Sequence, residues 1–170
     1  MIKSYFVGDN MVSNSSGAYS FYEKSRLGEK KNGRIEYSNI EALYLVFNGS
    51  MKLFAGKKMI SADLLLQKLK RKDKKIETKL AVFSDLRRKG YIVKTALKFG
   101  AEFRVYGKGI KPGEGHAQWI LHCAKESDNL KWHEFAAQNR VAHSTKKNLL
   151  VAIVDDEDDV SYYEARWMKP

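Results

Sequence analysis

A glycine-rich segment places two side chains that can exchange protons near each other in the chain. Tyr106 and His116 stand towards the two ends of VYGKGIKPGEGHAQW, residues 105–119, and Lys147 adds a cation further along. A phenol, an imidazole and an ammonium group match the needs of metal-independent RNA cleavage. In that reaction a 2′-hydroxyl loses a proton, a 5′-oxygen gains one, and the phosphorane between them needs positive charge.

The three side chains suit these roles unequally. Histidine is the natural general acid because its pKa lies near the working pH. A phenol, with a reference pKa of about 10, is a poor base unless cations such as Lys108 or Lys147 lower that value, and otherwise it only orients the 2′-hydroxyl. Basic proteins without this activity also contain such residues. The residues alone therefore leave open a strand-end tyrosine, a surface histidine and a lysine that complements a helix dipole.

Composition limits the class of protein. The chain carries 31 Lys and Arg against 20 Asp and Glu, a net charge of +11, which indicates a polyanionic partner such as nucleic acid, although some proteins have basic surfaces for other reasons. The single cysteine, Cys123, excludes an internal disulfide and a cysteine-based zinc site, so we expect a cytoplasmic protein. No apolar run reaches the roughly 18 residues of a membrane helix, and no signal peptide is evident, so no membrane association is expected.

The first part of the chain predicts a small α/β domain with strands and two helices, over residues 1–75. Short apolar segments in residues 1–37 indicate strands, and turn signals separate them at Gly8-Asp9, Asn14 to Gly17 and Asn32-Gly33. SNIE at 38–41 is a capping box that predicts a helix start. A second helix is predicted after Ser61, and its buried side would carry Leu64, Leu65 and Leu69.

Residues 76–170 predict a second domain, and the whole chain an α+β fold. A helix comes first, with apolar residues three apart at Leu80, Phe83 and Leu86. A hairpin around Gly100, a buried strand after the glycine segment and a long amphipathic helix follow. The apolar stripe of that helix would contain Trp132, Phe135, Ala136 and Ala142. Two final strands flank the acidic run at 155–159.

This second part contains three linked segments: DLRRKGYIVKTALKFGAEFRVYGKG, GEGHAQWIL and RVAHSTKKNLLVAIVDDEDDVSYYE. In this order they resemble the archaeal tRNA-splicing endonuclease family, and a weaker likeness extends upstream through RIEYSNIEALYLV. The resemblance implies a C-terminal mixed-sheet nuclease domain of the tRNA-endonuclease, restriction-endonuclease-like type. It also implies catalytic roles: Tyr106 matches the tyrosine of the F-R-x-Y segment, His116 the histidine that opens the next strand, and Lys147 the lysine that closes A-H-S-x-[RK]-K.

The resemblance also implies residues that bind RNA. Arg140, seven positions before Lys147, matches an arginine that stacks on a flipped bulge base. Lys146 stands where the family pattern leads us to expect arginine, a change that keeps the charge and weakens bidentate phosphate contact. Arg166 is the candidate for a second arginine that clamps a base.

The acidic run corresponds in the family to a loop that docks into a basic pocket of another subunit. Its residues here are Asp155, Asp156, Glu157, Asp158 and Asp159. An exposed surface loop is the alternative. A magnesium site is a second one, but five adjacent acids at a hairpin tip do not readily converge on one ion, so we expect no metal and no cofactor.

The resemblance therefore implies an endoribonuclease that cleaves precursor tRNA at intron–exon junctions in bulge-helix-bulge structures. Attack by the 2′-hydroxyl would leave a 2′,3′-cyclic phosphate and a 5′-hydroxyl. Two cleavage sites imply two active sites, so a tetramer is expected, either of identical chains or with a separate structural subunit. A non-catalytic structural subunit or RNA-binding module of the same fold stays open, as does a metal-dependent nuclease.

Overall fold

The computed structural model describes residues 1–8 and 10–169. The chain divides into two compact units, Met1–Leu80 and Ala81–Pro170. In chain order, the elements that lie wholly in the first unit are β1 (Ile2–Val7), β2 (Asn10–Ser13), α1 (Ser16–Ser25), β3 (Glu29–Lys31), β4 (Arg34–Tyr37), α2 (Asn39–Phe47), β5 (Met51–Ala55), β6 (Lys58–Ile60) and α3 (Ala62–Lys70). The elements that follow are α4 (Ile76–Arg88), β7 (Ile92–Ala96), a 3-10 turn (Leu97–Phe99), β8 (Ala101–Tyr106), β9 (Trp119–Lys125), α5 (Trp132–Ser144), β10 (Asn148–Val154) and β11 (Val160–Ala165).

The N-terminal unit is built on a mixed six-stranded sheet with the order β3-β4-β2-β1-β5-β6. Of its neighbouring pairs, β1 and β5 run parallel and the others antiparallel. The predicted capping box at the start of α2 is confirmed: Ser38 Oγ accepts from the Glu41 N–H, and the Glu41 carboxylate accepts from the Ser38 N–H at 3.1 Å. Leu43 on α2, Leu65 on α3 and Leu53 on β5 are fully buried, so the two helices and the sheet share one core.

Two sequence predictions for this unit are wrong. Ser16–Ser25 forms α1 where we predict a strand, because Ser15 caps a helix by accepting from the Ala18 N–H. Leu64 is 44% exposed, whereas Leu65 and Leu69 are buried as predicted. The predicted turn at Gly8-Asp9 falls partly outside the described residues, since Asp9 is not among them. Our domain limits, 1–75 and 76–170, stay a prediction.

The C-terminal unit is built on a five-stranded sheet with the order β11-β10-β9-β8-β7. The central pair, β9 and β10, is parallel, and the other pairs are antiparallel. One face packs against α4, where the rings of Phe83 and Phe103 lie 5.7 Å apart. The opposite face packs against α5, where buried Ala142 joins Ile120 and Leu149 in one cluster. The sheet is therefore covered by a helix on each side.

The predicted burial of Trp132 and Ala136 is wrong. Trp132 is the first residue of α5 and is 83% exposed, and Ala136 is exposed as well. Phe135 and Ala142 are the residues of this helix that pack on the sheet. Periodicity marks an apolar side of a helix but does not show which of its residues reach the core, and here Phe135 does so while Trp132, three residues earlier, and the adjacent Ala136 do not. Within the described part of the chain, no helix has the length and apolar character needed to cross a membrane.

Candidate active site

The sheet topology brings Tyr106 and Lys147 to the same end of the C-terminal sheet. Tyr106 ends β8, and Lys147 directly precedes β10. Between these two strands lies β9, antiparallel to β8 and parallel to β10. Gln118, just before β9, donates its N–H to the Val105 carbonyl at 2.9 Å and accepts from the Asn148 N–H at 3.0 Å. With about 4.8 Å between strands, the backbones of Tyr106 and Lys147 lie about 10 Å apart, on either side of Gln118.

The ring of Tyr106 is held in place by packing. The residue is only 4% exposed and pairs with Ile92 of β7 across the strands. Side chains alternate along a strand, so Tyr106 lies on the face opposite Val105, and Lys147 lies on the face opposite Asn148. This is the face that carries Leu149 and is covered by α5. Both side chains therefore belong to the same face and the same end of the sheet.

His116 follows a glycine segment that is folded back on itself. The Ile110 N–H donates to the Gly107 carbonyl at 3.0 Å, and the Gly115 N–H donates to the Lys111 carbonyl at 3.1 Å. A Cβ at Gly115 would lie 2.7 Å from Cγ2 of Ile110, so the segment closes tightly there. The glycines thus allow the segment to turn and Gly115 to lie close to Ile110. His116 is exposed, two residues before Gln118, so it is placed beside the sheet end that carries Tyr106 and Lys147.

Lys147 is positioned by the way α5 ends. The Lys147 N–H donates to the Ala142 carbonyl at 2.9 Å and the Lys146 N–H to the His143 carbonyl at 2.9 Å, the pattern of a Schellman motif. Lys146 takes the left-handed conformation that this motif requires, with φ of 57°. The Nζ of half-buried Lys147 donates to the Thr145 carbonyl at 2.8 Å and lies 5.8 Å from the centre of the Phe99 ring. The ammonium group is therefore fixed close to the sheet.

The predicted RNA-binding residues are all exposed cations near this end of the sheet. Lys146 precedes Lys147, and Arg166 follows β11, whose Ala165 pairs with Leu149 near the start of β10. Arg140 lies on α5, four residues before the last residue of the helix, about 6 Å along its axis. The structure therefore places all three near the end that carries Tyr106 and Lys147.

A carboxylate that the sequence does not single out ties this end of the sheet together. Glu164 accepts from the indole N–H of Trp119 at 2.6 Å, from the Asn148 amide at 3.3 Å and from Arg166. The hydrogen bonds from Trp119 and Arg166 hold the pKa of Glu164 below its usual range. The rings of Trp119 and Tyr91 are nearly perpendicular, with centres 6.0 Å apart, and the Nζ of Lys108 in the glycine segment lies 5.4 Å from the centre of the Tyr91 ring. Alternation along β11 indicates only that Glu164 shares a sheet face with Trp119 and Asn148, opposite the face of Tyr106 and Lys147, and the sequence carries no signal of the contacts themselves.

The acidic run lies at the opposite end of β10, and hydrogen bonds within the run hold part of it in place. The carboxylate of Asp155 accepts from the backbone N–H groups of Glu157 and Asp159, each at 2.9 Å. Asp158 is left-handed, with φ of 64°. Asp156 to Asp159 are exposed. Because the seven residues of β10 separate Lys147 from Asp155, these carboxylates lie about 25 Å from Lys147 and do not repel a phosphate there. In residues 1–8 and 10–169, no group of three or more His, Cys, Asp or Glu side chains is arranged to hold a metal ion.

Comparison with known proteins identifies both parts of the chain. Residues 2–66 match the family model of the tRNA intron endonuclease N-terminal domain, and residues 76–162 match that of the tRNA intron endonuclease catalytic C-terminal domain. The chain is 36% identical over 170 residues to the tRNA-splicing endonuclease of Thermococcus gammatolerans, covering 99% of each chain. It is 38% identical over 170 residues to that of Pyrococcus abyssi, covering 99% of this chain and 98% of the relative.

A third relative agrees. The tRNA-splicing endonuclease of Methanothermobacter thermautotrophicus is 37% identical over 166 residues, which is 96% of each chain. Two domain models and near full-length relatives point to the same enzyme family. The chain therefore belongs to the tRNA intron endonuclease family, and it is an endonuclease.

Proposed function

We propose that this chain is a catalytic subunit that cleaves precursor tRNA at the intron–exon junctions of bulge-helix-bulge structures. The observation that supports this most is the pair of backbone hydrogen bonds at Gln118, which join the segments of Tyr106, His116 and Lys147 at one sheet end. A phenol, an imidazole and an ammonium group are thereby gathered where exposed cations can hold phosphates.

Each of the three side chains has a role that its surroundings favour. The exposed imidazole of His116 is accessible to a leaving 5′-oxygen and serves as the general acid. The packed ring of Tyr106 orients the 2′-hydroxyl or takes its proton. The Lys147 ammonium, fixed by the Thr145 carbonyl, stabilises the phosphorane charge. Attack by the neighbouring 2′-oxygen on phosphorus breaks the P–O5′ bond, giving a 2′,3′-cyclic phosphate and a 5′-hydroxyl.

The need for a bulge follows from the geometry of this attack. In an A-form helix the 2′-oxygen, the phosphorus and the 5′-oxygen are not in line, whereas an unpaired nucleotide can be turned into that arrangement. The guanidinium groups of Arg140 and Arg166 are exposed and can stack on unpaired bases, and Lys146 can contact a phosphate. These contacts would hold the nucleotide in its reactive form.

Replacement of His116 tests this proposal. His116→Ala should reduce single-turnover cleavage of a bulge-helix-bulge precursor by at least about 100-fold, with unchanged RNA affinity. The matched control is His133→Ala, which removes another exposed histidine and should cleave normally. A 2′-deoxy substitution at the scissile nucleotide should abolish cutting there. Cleavage of the unmodified RNA should continue in EDTA. Normal cleavage by His116→Ala would refute the assignment. RNA binding without cleavage by the unmodified protein would show that this chain alone is not sufficient, as expected of a structural subunit or of a catalytic subunit that lacks its partner.

We further propose that the chain assembles into a tetramer, with identical copies or a separate structural subunit. Two cleavage sites in one intron require two active sites at a fixed separation. The exposed carboxylates of residues 156–159 in the acidic run would dock into a basic pocket of another subunit, and β11 would pair with a partner copy. The chain contains one cysteine, the buried Cys123, which is too few for an internal disulfide and supports a cytoplasmic location.

A further inference from the structure

The N-terminal sheet has one face that its own helices leave open. Along β1, Ile2 and Ser4 are fully buried, whereas the alternate residues Lys3 and Val7 are exposed and Tyr5 is half-buried. The parallel neighbour β5 shows the same alternation, with Lys52 exposed beside Lys3. The strand register therefore aligns a set of side chains on the open face. They are Tyr5 on β1, Phe54 on β5, Met59 on β6 and Glu36 on β4, which are half-buried or exposed, and Val12 on β2, which is buried in the same row.

Two aromatic rings lie side by side in the middle of this open face. Tyr5 and Phe54 are direct cross-strand partners, with ring centres 5.7 Å apart and an angle of 32° between the planes. The Nζ of Lys3 lies 5.8 Å from the Tyr5 ring and 5.5 Å from the Phe54 ring. Two neighbouring rings with a cation over them form a surface on which a base can stack while its phosphate meets an ammonium group.

A cleft of about 410 Å³ adjoins the ring of Tyr5 within the same unit. Val12 contributes apolar surface, and Asn14, Asn32 and Arg34 contribute polar groups. Its volume lies in the range of small-ligand pockets. Amide side chains can hydrogen-bond the edge of a base, and a guanidinium can contact a phosphate or stack on a ring. The cleft therefore extends the aromatic surface with groups that distinguish and hold a nucleotide.

The composition of the face favours RNA over a protein partner. The buried centre of a protein interface is depleted in charged residues, lysine in particular. Here Lys3 lies against the two rings at the middle of the surface, and Lys52 lies beside it on the next strand. Residues 1–75 carry 15 Lys and Arg against 7 Asp and Glu, an excess of 15 − 7 = +8. A polyanion with exposed bases complements such a surface.

From these observations we infer that the open face of the N-terminal sheet binds unpaired nucleotides of the RNA substrate. The inference rests on the proposed function only for the identity of that RNA. Bases stack on Tyr5 and Phe54, the ammonium groups of Lys3 and Lys52 contact the phosphates, and the cleft takes a neighbouring base. This site is in a different unit from Tyr106, His116 and Lys147.

The test uses a labelled single-stranded RNA of ten nucleotides, whose binding to the full chain is measured by fluorescence anisotropy. The exposed pair Lys3→Glu with Lys52→Glu should raise Kd by at least 10-fold. Tyr5→Ala with Phe54→Ala should raise Kd by about 5- to 150-fold, since each stacked base contributes on that scale. Tyr5→Phe keeps the ring and should bind normally. The charge-matched control, Lys24→Glu with Lys74→Glu, changes exposed lysines elsewhere in the unit and should have a much smaller effect.

The outcomes separate this inference from the proposed function. The oligonucleotide contains no bulge-helix-bulge, so its binding is measured whether or not the protein cleaves precursor tRNA. If the protein cleaves but the Lys3 and Lys52 variant binds the oligonucleotide as well as its control does, the inference is overturned. It is also overturned if the unmodified protein does not bind, or if the variant changes only the mass of the assembly in light scattering, which would make the face a protein interface. With precursor tRNA as the substrate, the Lys3→Glu with Lys52→Glu variant should have a raised KM and an unchanged kcat.

Discussion

The hydroxyl of Tyr162 donates a hydrogen bond of 2.8 Å to the carboxylate of Asp85, 77 positions earlier in the chain. Arg88 and Lys89 donate to the same carboxylate at 2.7 and 2.6 Å. Burial, and then the bond to Asp85, raises the pKa of Tyr162, so its hydroxyl stays protonated and remains a donor. Asp85 is 7% exposed, so its buried charge depends on these partners, and the contact joins β11 to α4.

Removal of the Tyr162 hydroxyl should destabilise the C-terminal unit. We expect Tyr162→Phe to lower the free energy of unfolding by about 1–2 kcal/mol, because a buried charged acceptor loses one donor. The neighbouring Tyr163 is 60% exposed, so Tyr163→Phe is the matched control and should change stability by less than about 0.5 kcal/mol. Urea unfolding followed by circular dichroism measures both. Equal stability of the two variants would show that the contact with Asp85 contributes nothing.

The same carboxylate predicts a loss of stability in acid. Burial alone would raise the pKa of Asp85, but hydrogen bonds from Lys89, Tyr162 and Arg88 outweigh it and lower the pKa below its ordinary value. A lowered pKa in the folded state contributes stability above the unfolded value of about 3.9, and this is lost as the pH falls through the folded value. The stability difference between the unmodified protein and Asp85→Asn should therefore shrink from pH 6 towards pH 3. A difference that is independent of pH would contradict the shift.

Local signals predicted much of this fold, whereas contacts between distant segments did not show in the sequence. The capping box at Ser38 and Glu41 contains all its partners within four residues, and the structure confirms it. Asparagine and serine, as at Asn14 and Ser15, are common both in turns and at the start of helices, so the residues before α1 do not predict this helix. The catalytic roles of Tyr106, His116 and Lys147 are implied by the family resemblance and not by local patterns. Their position at one sheet end follows from the topology, but the contacts of Glu164 depend on three strands at once.

Lys146 offers a test in which stability and RNA binding should change in opposite directions. The left-handed backbone of Lys146 costs a residue with a Cβ about 1–2 kcal/mol, and glycine avoids this cost. Glycine also loses more conformational entropy on folding, which cancels part of that gain. Lys146→Gly should therefore raise the free energy of unfolding by about 0.5–1 kcal/mol and weaken precursor binding. Lys146→Ala removes the same ammonium group without relieving the backbone, so it should weaken binding equally and gain no stability. A stability gain in both variants, seen by thermal unfolding, would exclude the backbone explanation.

Glu164 should act as a positioning residue for the active site. Glu164→Gln replaces an acceptor oxygen with an N–H₂ group, so the donors from Trp119, Asn148 and Arg166 cannot all be accepted. The starts of β9 and β10 would shift, and a small displacement of the reacting groups lowers the single-turnover rate by about 10- to 100-fold. The pH dependence of the rate should keep its shape, and the tryptophan fluorescence should change. The control is Glu126→Gln at the far end of β9, where both signals should stay as in the unmodified protein.

Reversal of charge in the acidic run should dissociate the tetramer that we propose while leaving the hairpin folded. Asp155 stabilises the turn by accepting from two backbone N–H groups, whereas the side chains of Asp156 and Asp159 are exposed. Asp156→Lys with Asp159→Lys should lower the mass measured by light scattering, because the docking contact depends on unlike charges. High salt should weaken the unmodified assembly in the same direction. Glu23→Lys with Glu126→Lys makes an equal change in net charge at other exposed positions and should leave the mass unaltered. If the Asp156 and Asp159 variant has the same mass as the unmodified protein, the acidic run is an ordinary solvated turn and does not dock between subunits.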